Sequence, residues 1–235
     1  RAIANSRKLY VADNVVDLDH WAELLDKEGK AWSVDDVIAI RERLGLLNST
    51  VVDCSTNATL AGEYVRFLEN GFNVVAANKK ANTASLEYYR AMRSAAGRNF
   101  RKFLYETNVG AGLPVIQTLR DLRETGDEIR RIEGMFSGTL AYLFNTWDGS
   151  QPFSEVVQHA KSLGYTEPDP RDDLSGTDVA RKLVILAREA GRALTLDDVS
   201  VESLVPAALR EASVDDFMAR LGEVGSSSSN SSGSS

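Results

Sequence analysis

Thiols, imidazoles and long apolar runs are all scarce in this chain. Cys54 is the only cysteine among 235 residues, so neither an internal disulfide nor a thiolate metal site can form. The two histidines, His20 and His159, stand far apart with no ligand-like spacing, and each reads as a helix-surface residue. No apolar stretch reaches the length of a membrane span, and the opening RAIANSRKLYV lacks a signal-peptide core. Basic residues are outnumbered 27 to 34 by acidic ones, giving a net charge of −7 and a pI near 5.0. That balance argues against nucleic acid or an anionic membrane as partner. A hydrophobic share of 43% suffices for one large domain or two small ones. These features predict a soluble, cytoplasmic protein. The serine-rich stretch Gly225–Ser235 has too little apolar content to join a core.

In the first half, short β-rich runs alternate with helical patterns. Strands are predicted at Lys8–Ala12, Val51–Ser55, Asn73–Ala77 and Lys102–Glu106. Helices are predicted at His20–Glu28, at Val34–Leu44 with Ser33 and Asp36 as capping pair, at Leu60–Glu69, and at Leu86–Ala96 capped by Thr83. Apolar strands separated by helices describe an α/β fold, a parallel sheet covered on both faces. From about Asn108 the pattern changes to a helix at Pro114–Arg123, an alternating strand at Glu128–Ser137, and helices near Thr139–Trp147, Ser154–Leu163 and Thr177–Ala190. The second part therefore reads as an α+β domain, with residues 1–107, 108–224 and 225–235 as the three divisions.

Ligands of open parallel sheets sit at the carboxyl ends of the strands. Three such ends are small and polar here: Asn5-Ser6, Ser55-Thr56-Asn57 and Asn78-Lys79-Lys80. Helix capping accounts for any one of them; the set suits a nucleotide-sized ligand. The Gly-x-Gly-x-x-Gly turn that opens a dinucleotide fold is absent. Cys54 at a strand end reads as a buried sheet cysteine, with a thioester-forming nucleophile as the other reading.

Between Ala160 and Lys182 the chain reads AKSLGYTEPDPRDDLSGTDVARK. Glu167, Asp169, Asp172, Asp173 and Asp178 crowd a turn punctuated by Pro168 and Pro170. Lys182 follows Asp178 at the spacing that stacks side chains on one helix face. An exposed pair on a solvated acidic loop accounts for the charge and spacing alone. Two details count against it: the prolines hold the acids in place, and Val179, Leu183 and Leu186 set the pair at the edge of a packed face. The loop then suits a small polar substrate that carries an amine and exchanges a proton.

The motif Ala160, Gly164, Tyr165, Thr166, Asp169, Pro170, Asp173, Leu174, Gly176, Asp178, Lys182 resembles homoserine dehydrogenases at the family's spacing. So do Asn78-Lys79-Lys80-Ala81, Glu106-Thr107-Asn108-Val109-Gly110-Ala111-Gly112-Leu113-Pro114 and Gly134-Met135-Phe136-Ser137-Gly138-Thr139. The likeness runs from about Ala4 to Leu221 and is nearest to the dehydrogenase half of bifunctional aspartokinase/homoserine dehydrogenases. It implies a Rossmann-like nucleotide domain, a catalytic and dimerisation domain, and interconversion of aspartate 4-semialdehyde and homoserine in threonine and methionine biosynthesis. It also implies a homodimer and a covalently linked aspartokinase domain in the full-length protein.

By this resemblance Lys182 is the proton-exchanging group, and Asp178 orients it and binds the substrate. Lys79 corresponds to the family's second active-site lysine, and the sequence alone leaves its neighbour Lys80 as the alternative. Glu167 and Asp173 take the substrate ammonium, while Tyr165, Gly138 and Thr139 make further substrate contacts. Ser55, Lys79 and Gly164 contact an NAD(P) cofactor. The region Ala4–Lys8 has two bases and no acid, which favours NADPH over NADH, with the 2′-phosphate near Asn5 and Arg7 or Lys8. A monovalent cation, Na⁺, is implied at Glu106 and the carbonyls of Val109, Ala111 and Leu113. The missing glycine turn leads to the expectation that this stretch alone binds NADPH weakly. A non-catalytic dimerising or substrate-binding module is the alternative reading.

Overall fold

The computed structural model describes residues 1–167 and 169–224. The stiffening assigned to Pro168 and the reading of the serine-rich tail lie outside the described residues. Two compact units interleave along the chain: Arg1–Val52, Thr59–Val75 and Met92–Phe103 form one, and Asp53–Ala58, Ala76–Ala91 and the chain from Leu104 form the other.

The first unit opens with a hairpin. β1 (Ala2–Ala4) pairs antiparallel with β2 (Leu9–Val11), with Ile3 opposite Tyr10. Asn5 closes the turn: its Oδ1 accepts the amides of Arg7 at 2.9 Å and Lys8 at 2.8 Å, a backbone-mimicking use of the short amide side chain. The strand predicted at Lys8–Ala12 thus forms, but in a separate two-stranded sheet. Its partner β1 is too short to show in a periodicity. Helices α1 (Trp21–Glu28) and α2 (Val34–Arg43) follow. Ser33 and Asp36 make the predicted reciprocal cap, with the Ser33 amide 2.7 Å from the Asp36 carboxylate.

β3 (Ser49–Asp53), β4 (Phe72–Ala76) and β5 (Phe103–Leu104) form a parallel three-stranded sheet in that order. β3 starts and ends two residues earlier than predicted, so Cys54 lies past the pairing and is exposed, contrary to the buried reading. The single helix predicted at Leu60–Glu69 is two, α3 (Ala58–Ala61) and α4 (Tyr64–Glu69). Gly62 falls at the break, where a glycine costs about 1 kcal/mol of helix propensity. In α5 (Leu86–Arg98) the N-terminal hydroxyl is that of Ser85, which accepts the Tyr88 amide at 3.2 Å. Thr83, predicted as the cap, instead places its hydroxyl 3.1 Å from the Lys79 carbonyl. β5 is only two residues long because Glu106 enters a 3₁₀ turn, Glu106–Asn108. Within the first unit, Tyr64 packs edge-on to Phe103 at 5.7 Å and Phe67 to Phe72 at 5.6 Å; such pairs add about 0.5–1.5 kcal/mol beyond area burial.

The second unit carries α6 (Val115–Glu124), α7 (Gly138–Thr146), α8 (Phe153–Ser162), α9 (Pro170–Leu174), α10 (Thr177–Glu189) and α11 (Val214–Ala219). Its core gathers Leu143, Val157, Leu174, Leu209, Phe217 and Leu221, each at most 1% exposed. His159 is exposed on α8, and His20 is exposed at the N-terminus of α1, as predicted. The strand predicted at Glu128–Ser137 does not form among the described residues. Alternation prepares a segment for a sheet, but a ladder needs a partner backbone, and none pairs with it.

Gly176 starts α10 with φ +75°, and a Cβ there would lie 2.8 Å from Val201 Cγ1. Gly176→Ala is therefore expected to lose about 1–2 kcal/mol from backbone conformation alone, with the overlap adding to it. Denaturant unfolding of wild type and variant measures the loss.

Candidate active site

The acidic loop divides its carboxylates among distinct tasks. Asp169 caps α9, accepting the Arg171 amide at 3.0 Å, and pairs with the Arg171 guanidinium at 2.6 Å. That guanidinium holds the Asp169 pKa below the usual carboxylate value. Asp172 is exposed. Asp173 reaches inward: its Oδ1 lies 2.9 Å from the Thr139 hydroxyl and its Oδ2 accepts the Glu167 amide at 2.8 Å. The loop does not face one lysine as a body; among the described residues only Asp178 pairs with Lys182.

Asp178 sits in the first turn of α10, where the helix dipole favours negative charge. Its Oδ2 is 2.6 Å from Lys182 Nζ and its Oδ1 3.4 Å from Lys79 Nζ. Burial pushes the Asp178 pKa up, but the hydrogen bond from Lys182 and the charges of Lys79 and Lys182 outweigh it, and the net shift is downward. The carboxylate is thus ionised between two cations. Lys182 has only 16% of its side chain exposed and also donates to the Phe136 carbonyl at 2.6 Å. An ammonium has three donors, and among the described residues two are engaged, which leaves one for a ligand. The i, i+4 spacing stacks Asp178 over Lys182 as predicted. The turn after β4 adds Lys79, with 29% of its side chain exposed, whereas Lys80 is exposed, with its amide held by Asn78 Oδ1 at 3.0 Å and its carbonyl 3.5 Å from the Thr83 hydroxyl.

The residues expected to contact a substrate lie along a connected path. Phe136, which accepts from Lys182, leads through Ser137 and Gly138 into α7. Ser137 Oγ caps that helix by accepting the Leu140 amide at 3.1 Å. Thr139 Oγ1 is 2.8 Å from the Tyr165 carbonyl as well as close to Asp173. Tyr165 is 52% exposed, with its ring edge-on to Tyr142 at 4.9 Å. Glu167 is exposed.

Asp53 went unread in the sequence, and Asn78 was read only as part of a polar strand end and a motif. Asn78 and Asp53, 3% and 2% exposed, are joined by a 3.1 Å hydrogen bond from Asn78 Nδ2, and Asn78 also donates to the Asn57 carbonyl at 2.9 Å. The signal for Asp53 was an acid ending an otherwise apolar strand. This pair fixes the turn that presents Lys79.

The residues expected around a nucleotide are partly committed elsewhere. Ser55 is exposed, with its amide held by Asp53 Oδ1 at 2.7 Å and its Oγ accepting the Asn57 amide at 3.1 Å. Gly164 has φ +73° and open space where a Cβ would project. In the first unit, Asn5 Oδ1 is consumed by the hairpin turn, and Lys8 pairs with Asp26 at 2.9 Å, while Arg7 is exposed.

The residues expected to ligate a cation fall on a tight turn with Gly110 at φ +82° and Ala111 at φ +52°. Glu106 accepts the α6 amides of Ile116 at 2.8 Å and Gln117 at 3.1 Å, and the Leu113 carbonyl accepts the Val115 amide at 2.9 Å. These are hard oxygen donors, each with a further lone pair, and they suit a monovalent cation in chemistry. Among the described residues no three His, Cys, Asp or Glu cluster as a metal site. Nor is any described helix long and apolar enough to cross a membrane.

Two family profiles match this chain in tandem: "Homoserine dehydrogenase, NAD binding domain" over residues 1–106 and "Homoserine dehydrogenase" over 114–227. The bifunctional aspartokinase/homoserine dehydrogenase 1 of Zea mays is 48% identical over 221 residues, 93% of this chain and 24% of that protein. The bifunctional enzyme of Haemophilus influenzae is 46% identical over 94% of this chain and 27% of its own length. The chain thus spans about a quarter of the curated relatives it matches. Among solved structures, a Candida auris protein of unknown function superposes with TM-score 0.83 at 36% identity, covering 93% of this chain and 63% of that one. The homoserine dehydrogenase of Thermoplasma acidophilum gives TM-score 0.63 at 27% identity, covering 84% and 62%. With both profiles in order along residues 1–106 and 114–227, this chain belongs to the homoserine dehydrogenase family.

Proposed function

We propose that the chain catalyses the NAD(P)H-dependent reduction of L-aspartate 4-semialdehyde to L-homoserine, a step in threonine and methionine biosynthesis. The carrying observation is the triad of charges in which ionised Asp178 lies 2.6 Å from Lys182 and 3.4 Å from Lys79. The nicotinamide, when bound, supplies the hydride. Lys182 holds the aldehyde oxygen with its remaining N–H and delivers the proton as alkoxide character develops there. Asp178 fixes Lys182 and keeps a second cation, Lys79, at the same place. Glu167 and Asp173 receive the substrate ammonium, with Tyr165, Gly138 and Thr139 shaping the site beside them.

Ser55, Lys79 and Gly164 would hold the cofactor; the open space at Gly164 supports this. Lys8 is occupied by Asp26, so Arg7 is the base for a 2′-phosphate, which favours NADPH. Na⁺ would take Glu106 and the carbonyls of Val109, Ala111 and Leu113, holding the turn into α6. Residues 1–107 then serve the nucleotide and 108–224 the substrate and dimerisation. A homodimer in the cytoplasm, fused to an aspartokinase domain in the full-length protein, completes the reading; the relatives' bifunctional names support the fusion.

Homoserine oxidation by the full-length protein, followed by the appearance of reduced nicotinamide, tests the activity; no turnover with either NADP⁺ or NAD⁺ would refute it. Glu167→Gln is expected to raise KM for homoserine several-fold at nearly unchanged kcat, because it weakens an ammonium contact made equally in ground and transition states. A lowered kcat at constant KM would contradict that role.

A further inference from the structure

We infer that Arg188 is a positioning residue that sets Lys79 against Asp178. The inference rests on the reading of Lys79 and Asp178 as active-site groups. Asp178 and Arg188 occupy opposite ends of α10, about 15 Å apart along the axis. Arg188 is 3% exposed. Its Nη1 donates to the Asn82 carbonyl at 2.7 Å, its Nη2 to the Ala84 carbonyl at 2.9 Å and its Nε to the Leu194 carbonyl at 2.9 Å. The Tyr89 ring lies 5.0 Å from its Cζ.

Thr83 stands between the two clamped carbonyls, and it holds Lys79. Its amide donates to the Lys79 carbonyl at 3.2 Å and its hydroxyl lies 3.1 Å from the same oxygen. The same turn is tethered on its other side, where Asn82 Nδ2 donates to Asn108 Oδ1 at 2.9 Å and Asn108 Nδ2 to the Ala76 carbonyl at 2.8 Å. One helix therefore carries Asp178 at one end and grips the Lys79 turn at the other.

A buried guanidinium is a costly way to join two segments, since well-packed apolar side chains often do so with equal or greater stability. What the planar fork adds is direction: two carbonyls fixed at once. The Lys79–Asp178 separation of 3.4 Å is longer than the 2.6 Å between Lys182 and Asp178. It is the looser contact of the two, and the one a shifted turn would open first.

A double-mutant cycle in the full-length protein tests this, with kcat and KM for homoserine as readouts. Arg188→Met is expected to lower kcat about tenfold or more with little change in KM, the scale of a misplaced active-site group. In a Lys79→Ala background the same change is expected to cost less than about threefold, because coupled residues are non-additive. Equal losses in both backgrounds would show a purely structural role and overturn the inference. Should Arg188→Met fail to fold, Arg188→Lys, which keeps the charge but loses the fork, and Thr83→Val, which removes the hydroxyl from the Lys79 carbonyl, enter the same cycle with the same criterion. A wild type without homoserine oxidation, or a Lys79→Ala variant as active as wild type, would overturn the underlying reading and this inference with it. An active wild type, an impaired Lys79→Ala variant and additive losses would overturn the inference alone.

Discussion

Lys182→Ala is expected to reduce homoserine turnover by about 10²–10⁴-fold, the usual contribution of a general acid or base, while leaving cofactor affinity nearly unchanged. The geometry gives Lys182 two protein acceptors, Asp178 Oδ2 and the Phe136 carbonyl, each at 2.6 Å. Among the described residues its third N–H has no acceptor and is available to a substrate oxygen. With 16% of its side chain exposed, it is held in place rather than sampling solvent, so a buffer amine would replace it only partly. Alanine removes the proton donor and also leaves Asp178 with the more distant Lys79 alone. Steady-state kinetics together with a cofactor titration separate the two effects; near-normal turnover in the variant would remove Lys182 from the mechanism.

Asp178→Asn is expected to lower turnover by about 10²-fold through misplacement of both lysines, because two ammonium groups would then share a neutral amide. The same residue carries a pH signature. Although burial raises its pKa, the hydrogen bond from Lys182 and the charges of both lysines bring it below the ordinary value of 3.8. A carboxylate whose folded pKa is depressed contributes stability that is fully present above its unfolded pKa and is lost as pH falls through the folded one. Wild type should therefore exceed Asp178→Asn in thermal stability at neutral pH and converge on it in acid below the ordinary carboxylate range. Unfolding midpoints across that interval measure this, and parallel curves throughout would show that Asp178 is not the ionised partner of the two lysines.

Several short-range interactions were legible in the sequence, although the cap of α5 fell to Ser85 rather than Thr83. Ser33 and Asp36 announce their helix because a capping box is written in four consecutive residues. Asp178 and Lys182 announce their pairing because i, i+4 neighbours share a helix face whatever the rest of the chain does. The apolar positions beside them placed the pair at the rim of a core. The order of short strands and helices was likewise readable as α/β from alternation alone.

Choices among chemically similar residues were made elsewhere. Nothing local distinguishes Lys79 from Lys80; the turn after β4 directs the first toward Asp178 and leaves the second in solvent. Asp169 and Asp173 look alike in sequence, yet one is spent on Arg171 and the other gathers Thr139 and the Glu167 amide. Cys54 is exposed because β3 ends one residue before it, and a strand's end depends on its neighbours' register. The alternating run at Glu128–Ser137 remains unpaired among the described residues for the same reason, since backbone pairing needs a second segment. Residues close in sequence settle helices, caps and stacked ion pairs, because those bonds close within a turn of backbone. Which lysine meets which acid is settled only by long-range packing, which alone brings the β4 turn to the start of α10.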